Sequence, residues 1–152
     1  MDALDHRLLS LLQEDGRLSI TDLAKAVNLS RPRVAERLKR LQDSGAILGF
    51  SAVVSEKALG YPILALIQIG ELCEPCAAFE EAVRKLPAVL ECHRVTGAVS
   101  YILKAALPDM HGLEALVDQL IAHGRVNTAV VLSSPIPRRP LLHPSQEAAA
   151  GQ

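Results

Sequence analysis

Cysteine is scarce in this sequence of 152 residues: there are three, an odd number, which argues against a secreted domain framed by disulfides. Long apolar runs are missing as well. The longest, YPILALIQIG at residues 61–70, falls far short of the ~20 residues of a membrane helix. The opening MDALDHRLL carries acids where a signal peptide would carry basic residues before an apolar region. A cytoplasmic protein with no membrane partner is the expectation. No glycine-rich phosphate loop appears, which speaks against a kinase or an ATPase, and no Ser/His/Asp constellation marks a hydrolase. The five histidines have no metal-ligand spacing among themselves. The sequence therefore predicts no enzyme, no cofactor and no metal site.

What is present is a composition for folding. Apolar residues make up 49% and charged residues 22%, enough for one ordinary core or two small ones. The formal net charge is −1, but it is unevenly spread. Residues 1–49 hold eight Lys or Arg against seven Asp or Glu, and residues 50–152 hold eight against ten. The densest basic cluster is NLSRPRVAERLKRL at residues 28–41, where Arg31, Arg33, Arg37, Lys39 and Arg40 face the single acid Glu36.

The context of that cluster follows from helix signals. Leu4, Leu8, Leu11 and Leu12 recur at helical spacing up to Gly16, which ends a first helix. Ser19 with Asp22 three residues on is a capping box, and Ile20, Leu23, Ala24 and Val27 line one face of a short second helix. Asn28 can close it in a left-handed conformation, Leu29 can enter the core and Ser30 can cap a third helix that tolerates Pro32 in its first turn and stops at Ser44-Gly45. A short helix, a tight turn and a second helix make a helix-turn-helix. Val34, Leu38 and Leu41 should face its core, while Arg33, Arg37 and Arg40 form a stripe about 100° round the axis that should point outward. Such a like-charged stripe weakens a helix unless phosphate neutralises it. A basic face can be merely solvated, but here it lies where such helices meet the major groove. Arg31, Arg33, Glu36 and Arg37 are placed over bases, and Lys39 and Arg40 over phosphate; with Ser30 they form the candidate set contacting double-stranded DNA.

Past Gly45 the pattern changes. AILGFSAVVS at residues 46–55 reads as a strand, and SEKALGYP as a connector broken by Gly60 and Pro62. The domains expected are a helix-turn-helix at 1–49, a strand and linker at 50–61, an α+β domain at 62–136 and a flexible tail at 137–152. Within the third segment the order is β-α-β-β-α-β, with Phe79, Val83 and Leu86 on one helix and Leu113, Leu116, Val117 and Leu120 on the other. That order is ferredoxin-like, with both helices on one face of an antiparallel sheet. Nothing in the chain is left to cover the other face. Ile63, Leu64, Leu66, Ile67, Val130, Val131 and Leu132 are too apolar to stay wet, which predicts that a second copy covers them.

LDHRLLSLLQEDGRLSITDLAKAVNLSRPRVAERLKRLQDSGAILGFSAVV, with LGYP and ECHRVTGAVSYIL further on, resembles the Lrp/AsnC (feast/famine) family of transcriptional regulators over nearly the whole chain. The telling pieces are Leu4-Asp5, Leu23-Ala24, Leu29-Ser30, Arg37 within ERLKRL, SGAI, Glu91-Cys92 and Thr96-Gly97. The resemblance implies a transcriptional regulator with a DNA-binding domain joined to an effector-sensing, oligomerising domain, assembling as dimers and commonly as octamers. It also implies a small-molecule effector, usually an amino acid, held near the loop between the second and third strands of the C-terminal domain. By that resemblance Gly97, Ala98, Val99 and Ser100 hold the loop, and with the backbone up to Tyr101 and the hydroxyls of Thr96 and Thr128 as hydrogen-bonding groups nearby, Thr96, Gly97, Ala98, Val99, Ser100, Tyr101 and Thr128 are the effector-binding candidates. The family's loop reads Gly-Asp-aromatic-Asp, whereas this chain has Gly97, Ala98, Val99 and Ser100, so both acids are missing. An amino acid's ammonium loses a charge-assisted partner, on the order of 1.5 to 3 kcal/mol. Common aliphatic amino acids should therefore bind this loop weakly.

One motif points elsewhere. Cys73-Glu74-Pro75-Cys76 lies between a predicted strand and helix, where a thiol-disulfide pair, or a redox or metal sensor with Cys92 or His93 added, would sit. Against this, Glu71 and Glu74 beside the pair would raise a thiol pKa, and such an enzyme would leave the first fifty residues unexplained.

Overall fold

The computed structural model describes residues 1–141. It divides the described residues into two compact units, 1–52 together with 136–141, and 53–135.

The first unit holds three helices, α1 (Ala3–Glu14), α2 (Ile20–Ala26) and α3 (Arg31–Asp43). Asp2 caps α1 and pairs reciprocally with Asp5 in a capping box, and the Ser19 hydroxyl accepts the Asp22 N–H at the head of α2. Asn28 adopts φ 53°, so the chain reverses between α2 and α3, and the Leu29 N–H returns to the Ala24 carbonyl. Leu8, Leu23, Ala24, Val27 and Val34 form the core, with Leu4, Leu29 and Leu38 packed against it. Ile20, expected on that face, is exposed. Beyond Ile136, the N–H and C=O of Leu141 bond to the Gln13 side chain at 2.8 and 2.9 Å. The remainder of the expected tail lies outside the described residues.

The strand expected over 46–55 does not form. The alternation is real, but a strand needs a neighbour for its hydrogen bonds, and among the described residues no segment pairs with it. Leu48, Phe50, Val53 and Val54 are left exposed.

The second unit starts with a short 3₁₀ turn at Lys57–Leu59, followed by β1 (Ile63–Gly70), α4 (Cys76–Val83), β2 (Val89–Arg94), β3 (Tyr101–Leu107), α5 (Met110–Ile121) and β4 (Arg125–Val130). The four strands form one antiparallel sheet in the order β2-β3-β1-β4. Ala65, Ile67, Ile69, Tyr101, Leu103, Ala105 and Leu107 point to one face and bury against Phe79 and Val83 of α4 and Leu113, Leu116 and Leu120 of α5. Alternation sends Leu64 and Leu66 to the other face, with Ile102 and Ala106 beside them. Ile67, expected among the residues awaiting cover, therefore lies in the core instead, Ile63 packs against that core, Val130 shares the helix-bearing face with its partner Ala65, and Val131 and Leu132 lie past the end of β4.

Gly124 joins α5 to β4 where the backbone of the β1 end passes close by. A Cβ there would lie 2.6 Å from the Gly70 carbonyl oxygen and 3.2 Å from that of Glu71. Gly124→Ala is expected to cost about 1 to 3 kcal/mol, read as a lower urea midpoint, because the backbone must move to admit one methyl group. An unchanged midpoint would show that this corner is loose.

Candidate nucleic-acid interface and effector domain

Ser30 precedes helix α3, and its extended backbone (φ −72°, ψ 148°) is that of an N-cap. Its hydroxyl makes no capping bond. Pro32, at the second helical position, has no N–H to donate, and Ser30 is exposed at the head of the helix. Arg31, Arg33, Glu36 and Lys39 are exposed along the helix. Val34 and Leu41 face the core, as their spacing predicts.

The stripe expected to point outward is divided. The Arg37 guanidinium donates from one nitrogen to Asp2 and to Asp5, both at 2.7 Å, and Arg40 donates to both carboxylate oxygens of Asp5 at 3.1 and 3.0 Å. Asp5 is 1% exposed, Arg37 23% and Arg40 61%. Two acids of the α1 capping box thus neutralise two of the five cations on α3. The like-charge repulsion that the sequence left for phosphate to relieve is relieved within the domain. Among the described residues Arg31, Arg33 and Lys39 make no ion pair, and they carry the cationic surface of the helix. Sequence reasoning missed Asp2 and Asp5 as partners; their signal was an acid before the first helix and another three residues on, which was used only to argue against a signal peptide.

Charge follows geometry here. The Asp5 N–H, and after it the Arg37 guanidinium, holds the Asp2 carboxyl down to about 2. For Asp5 burial works against the charge, but the Asp2 N–H and the Arg37 guanidinium outweigh it and lower its pKa. The same bonds from Asp2 and Asp5 raise the pKa of Arg37.

In the second unit, residues 95–100 form a closed hairpin turn. The Val95 N–H donates to the Ser100 carbonyl at 2.9 Å, the Ser100 N–H donates to the Ile69 carbonyl at 2.8 Å, and Gly97 adopts φ 116°. Thr96, Gly97 and Ala98 are exposed, and Val99 and Ser100 are half-buried. Tyr101 does not join them. Its ring is buried beneath the sheet, 4.8 Å from Phe79, and its hydroxyl donates to Glu80 on α4 at 2.7 Å. Burial, with the Glu80 bond, pushes its pKa up. Thr128 lies on the edge strand β4, paired in register with Ile67.

Cys73 and Cys76 are not set as a thioredoxin-like pair. Helix α4 starts at Cys76 with Pro75 as its cap, so Cys73 lies upstream of the helix and outside the first turn that would stabilise its thiolate. The Cys73 N–H is instead spent on the His123 carbonyl, and the His123 ring meets Glu74. Burial raises the pKa of Cys92, with Glu80 adding to the effect. Among the described residues no three His, Cys, Asp or Glu side chains converge as metal ligands, and no helix is long and apolar enough to cross a membrane.

A helix-turn-helix unit with an exposed basic second helix, carried in one chain with a ferredoxin-like domain, defines a two-domain DNA-binding regulator. Known proteins agree. The chain belongs to the Lrp/AsnC family of transcriptional regulators: its AsnC-type helix-turn-helix domain matches residues 1–42, and its Lrp/AsnC ligand binding domain matches residues 64–141. It is 41% identical over 136 residues to the HTH-type transcriptional regulator YezC of Bacillus subtilis, covering 88% of this chain and 95% of that one. It is 37% identical over 141 residues to a proline dehydrogenase transcriptional activator of Rhizobium radiobacter, covering 88% and 90%. Among solved structures, a Neisseria meningitidis transcriptional regulator in complex with L-Met superimposes with a TM-score of 0.85 at 31% identity, over 93% of this chain and 96% of that one.

Proposed function

We propose that this regulator binds duplex DNA as a cytoplasmic homodimer or larger assembly, places α3 in the major groove, and responds to a small-molecule effector of the amino-acid class. The carrying observation is the partition of charge on α3. With Arg37 and Arg40 tied back to Asp2 and Asp5, the side chains free to reach DNA are Ser30, Arg31, Arg33 and Glu36 near the helix start and Lys39 further on. Arg37 and Arg40 thus serve by fixing the helix and setting the local field, and Arg31 and Arg33 are the base readers. The effector class is supported by the ligand-binding domain and by the relative crystallised with L-Met. At the 95–100 hairpin an effector would meet backbone groups and the hydroxyls of Thr96 and Ser100, with no carboxylate in the loop itself.

Mobility shifts with operator fragments selected from genomic DNA test the docking. Arg33→Ala is expected to weaken specific binding by ~1 to 3 kcal/mol and to relax preference at one position of each half-site. Lys39→Ala should weaken all sequences alike and reduce the salt slope by about one. Equal, salt-insensitive binding by both variants would overturn this placement of α3.

A further inference from the structure

Residues 136–141 follow the last strand, yet they belong to the first unit. Their tie to it is specific. The Gln13 side chain of α1 accepts the Leu141 N–H at 2.8 Å and donates to the Leu141 carbonyl at 2.9 Å, so one amide satisfies both backbone groups of a residue 128 positions away. Upstream of that anchor the chain reads PIPRRPL, residues 135–141. Pro137 and Pro140 fix their own φ and hold Ile136 and Arg139 extended, which leaves the segment little freedom to lose when it is seated. Arg138 and Arg139 are exposed and make no ion pair among the described residues. Glu14 and Asp15, exposed just beyond Gln13, do not take them up. With these two arginines the first unit goes from eight cations against seven acids to ten against seven.

The anchor is close to the basic helix. Asp5, Leu9 and Gln13 recur at every fourth position of α1 and follow one side of it, and Asp5 holds Arg37 and Arg40 of α3. Gln13 stands about 12 Å along the axis from Asp5. Arg138 and Arg139 come three and two residues before Leu141, within about 10 Å of it along the chain. We propose that residues 136–141 are a DNA-contacting arm: seated on α1 by Gln13, they present Arg138 and Arg139 to backbone phosphates beside the groove that α3 enters. A guanidinium on a phosphate carries no base information, so the arm adds affinity and leaves sequence preference to α3. This rests on the docking of α3 proposed above.

Mobility shifts of the full chain on the selected operator and on a scrambled duplex of equal length, run between about 50 and 200 mM salt, test the arm. Replacing both arginines (Arg138→Gln with Arg139→Gln) should lower the salt slope by about one to two on both duplexes and leave their affinity ratio unchanged. Gln13→Ala keeps both cations but unties the segment. It should keep the wild-type slope and weaken both duplexes alike, by roughly two- to tenfold, because the arm must then be ordered at each binding event. Arg84→Gln with Lys85→Gln removes the same charge from an exposed pair in the second unit and should leave the slope as in wild type. All the substituted side chains are exposed, so thermal melts should match wild type. An unchanged slope in the Arg138 and Arg139 variant, or an equal drop in the Arg84 and Lys85 control, overturns the arm. So does a Gln13→Ala protein that binds as wild type does. Lys39→Ala separates the two levels: if it lowers the slope and the arm variant does not, the arm falls and the docking of α3 stands, and if neither lowers it, both fall.

Discussion

Asp5→Ala is expected to lower the stability of the helix-turn-helix unit by about 2 to 3 kcal/mol while increasing its affinity for non-specific DNA. Asp5 is 1% exposed and accepts bonds from the Asp2 N–H, Arg37 and Arg40. Removing one partner of a buried ion pair costs more than a surface pair is worth, but Arg40 is 61% exposed and water can take up its charge, which places the cost at the level of a charged hydrogen bond. The two released guanidiniums then add free positive charge to α3, and the salt slope of non-specific binding should steepen by about one to two. Specific and non-specific affinities should therefore converge as stability drops. The sign of the pH dependence follows from the same contacts. Both carboxyls titrate below their ordinary range, Asp2 from 3.8 to about 2. Their contribution is complete above the unfolded value near 4 and is lost as the pH falls toward 2. Circular-dichroism melts from pH 6 to 2 should show wild type losing stability through that window more steeply than Asp5→Asn. Parallel curves, or an Asp5→Ala protein as stable as wild type at pH 6, would show that the quartet contributes nothing.

That quartet also marks the limit of what the sequence made legible. The helix boundaries were readable because their causes are local: Ser19 as a cap, Asn28 in a left-handed turn at φ 53°, Pro32 in a first turn, Gly45 at φ 74° beyond the last. The meeting of Asp5 with Arg40, thirty-five residues apart, depends on how α1 lies against α3, and no periodicity encodes that crossing. Tyr101 is a different case. Its spacing with Leu103 and Ala105 places its side chain on the buried face of β3, so alternation already leaves only its backbone for a part in effector binding. The segment 46–55 shows the reverse case. Its strand pattern is genuine, but pairing is a property of two segments, and the described residues offer it no partner. The order of elements in the C-terminal domain was legible because helix and strand periods switch cleanly at Pro75, Pro87, Gly97 and Pro108.

Leu66→Asp is expected to turn the assembled protein into monomers at micromolar concentration. Leu66 stands on the uncovered sheet face, 43% exposed, with Lys104 and Ala129 as its cross-strand partners and Leu64, Ile102 and Ala106 nearby. The apolar centre is bordered by polar pairs, Lys104 with Glu91 at 3.0 Å on one side and Gln68 with Asn127 at 3.2 Å on the other. An apolar centre with a satisfied polar rim is the composition of an interface core, and a second copy of the same face would bury it. In a two-fold contact each substitution acts twice. Burying one leucine contributes roughly 1.5 to 3 kcal/mol, so losing two costs about 3 to 6 kcal/mol before any cost of desolvating carboxylates. That corresponds to a dissociation constant raised by roughly a hundred- to ten-thousandfold. Since Leu66 does not touch the helical core beneath the sheet, the melting of the domain itself should change little, which separates lost assembly from lost folding. A fragment lacking residues 1–50 should still self-associate, because the face belongs entirely to the second unit. Sedimentation velocity reads both results: a Leu66→Asp chain that runs with wild type, or a fragment that runs as a monomer, would place the contact between copies elsewhere.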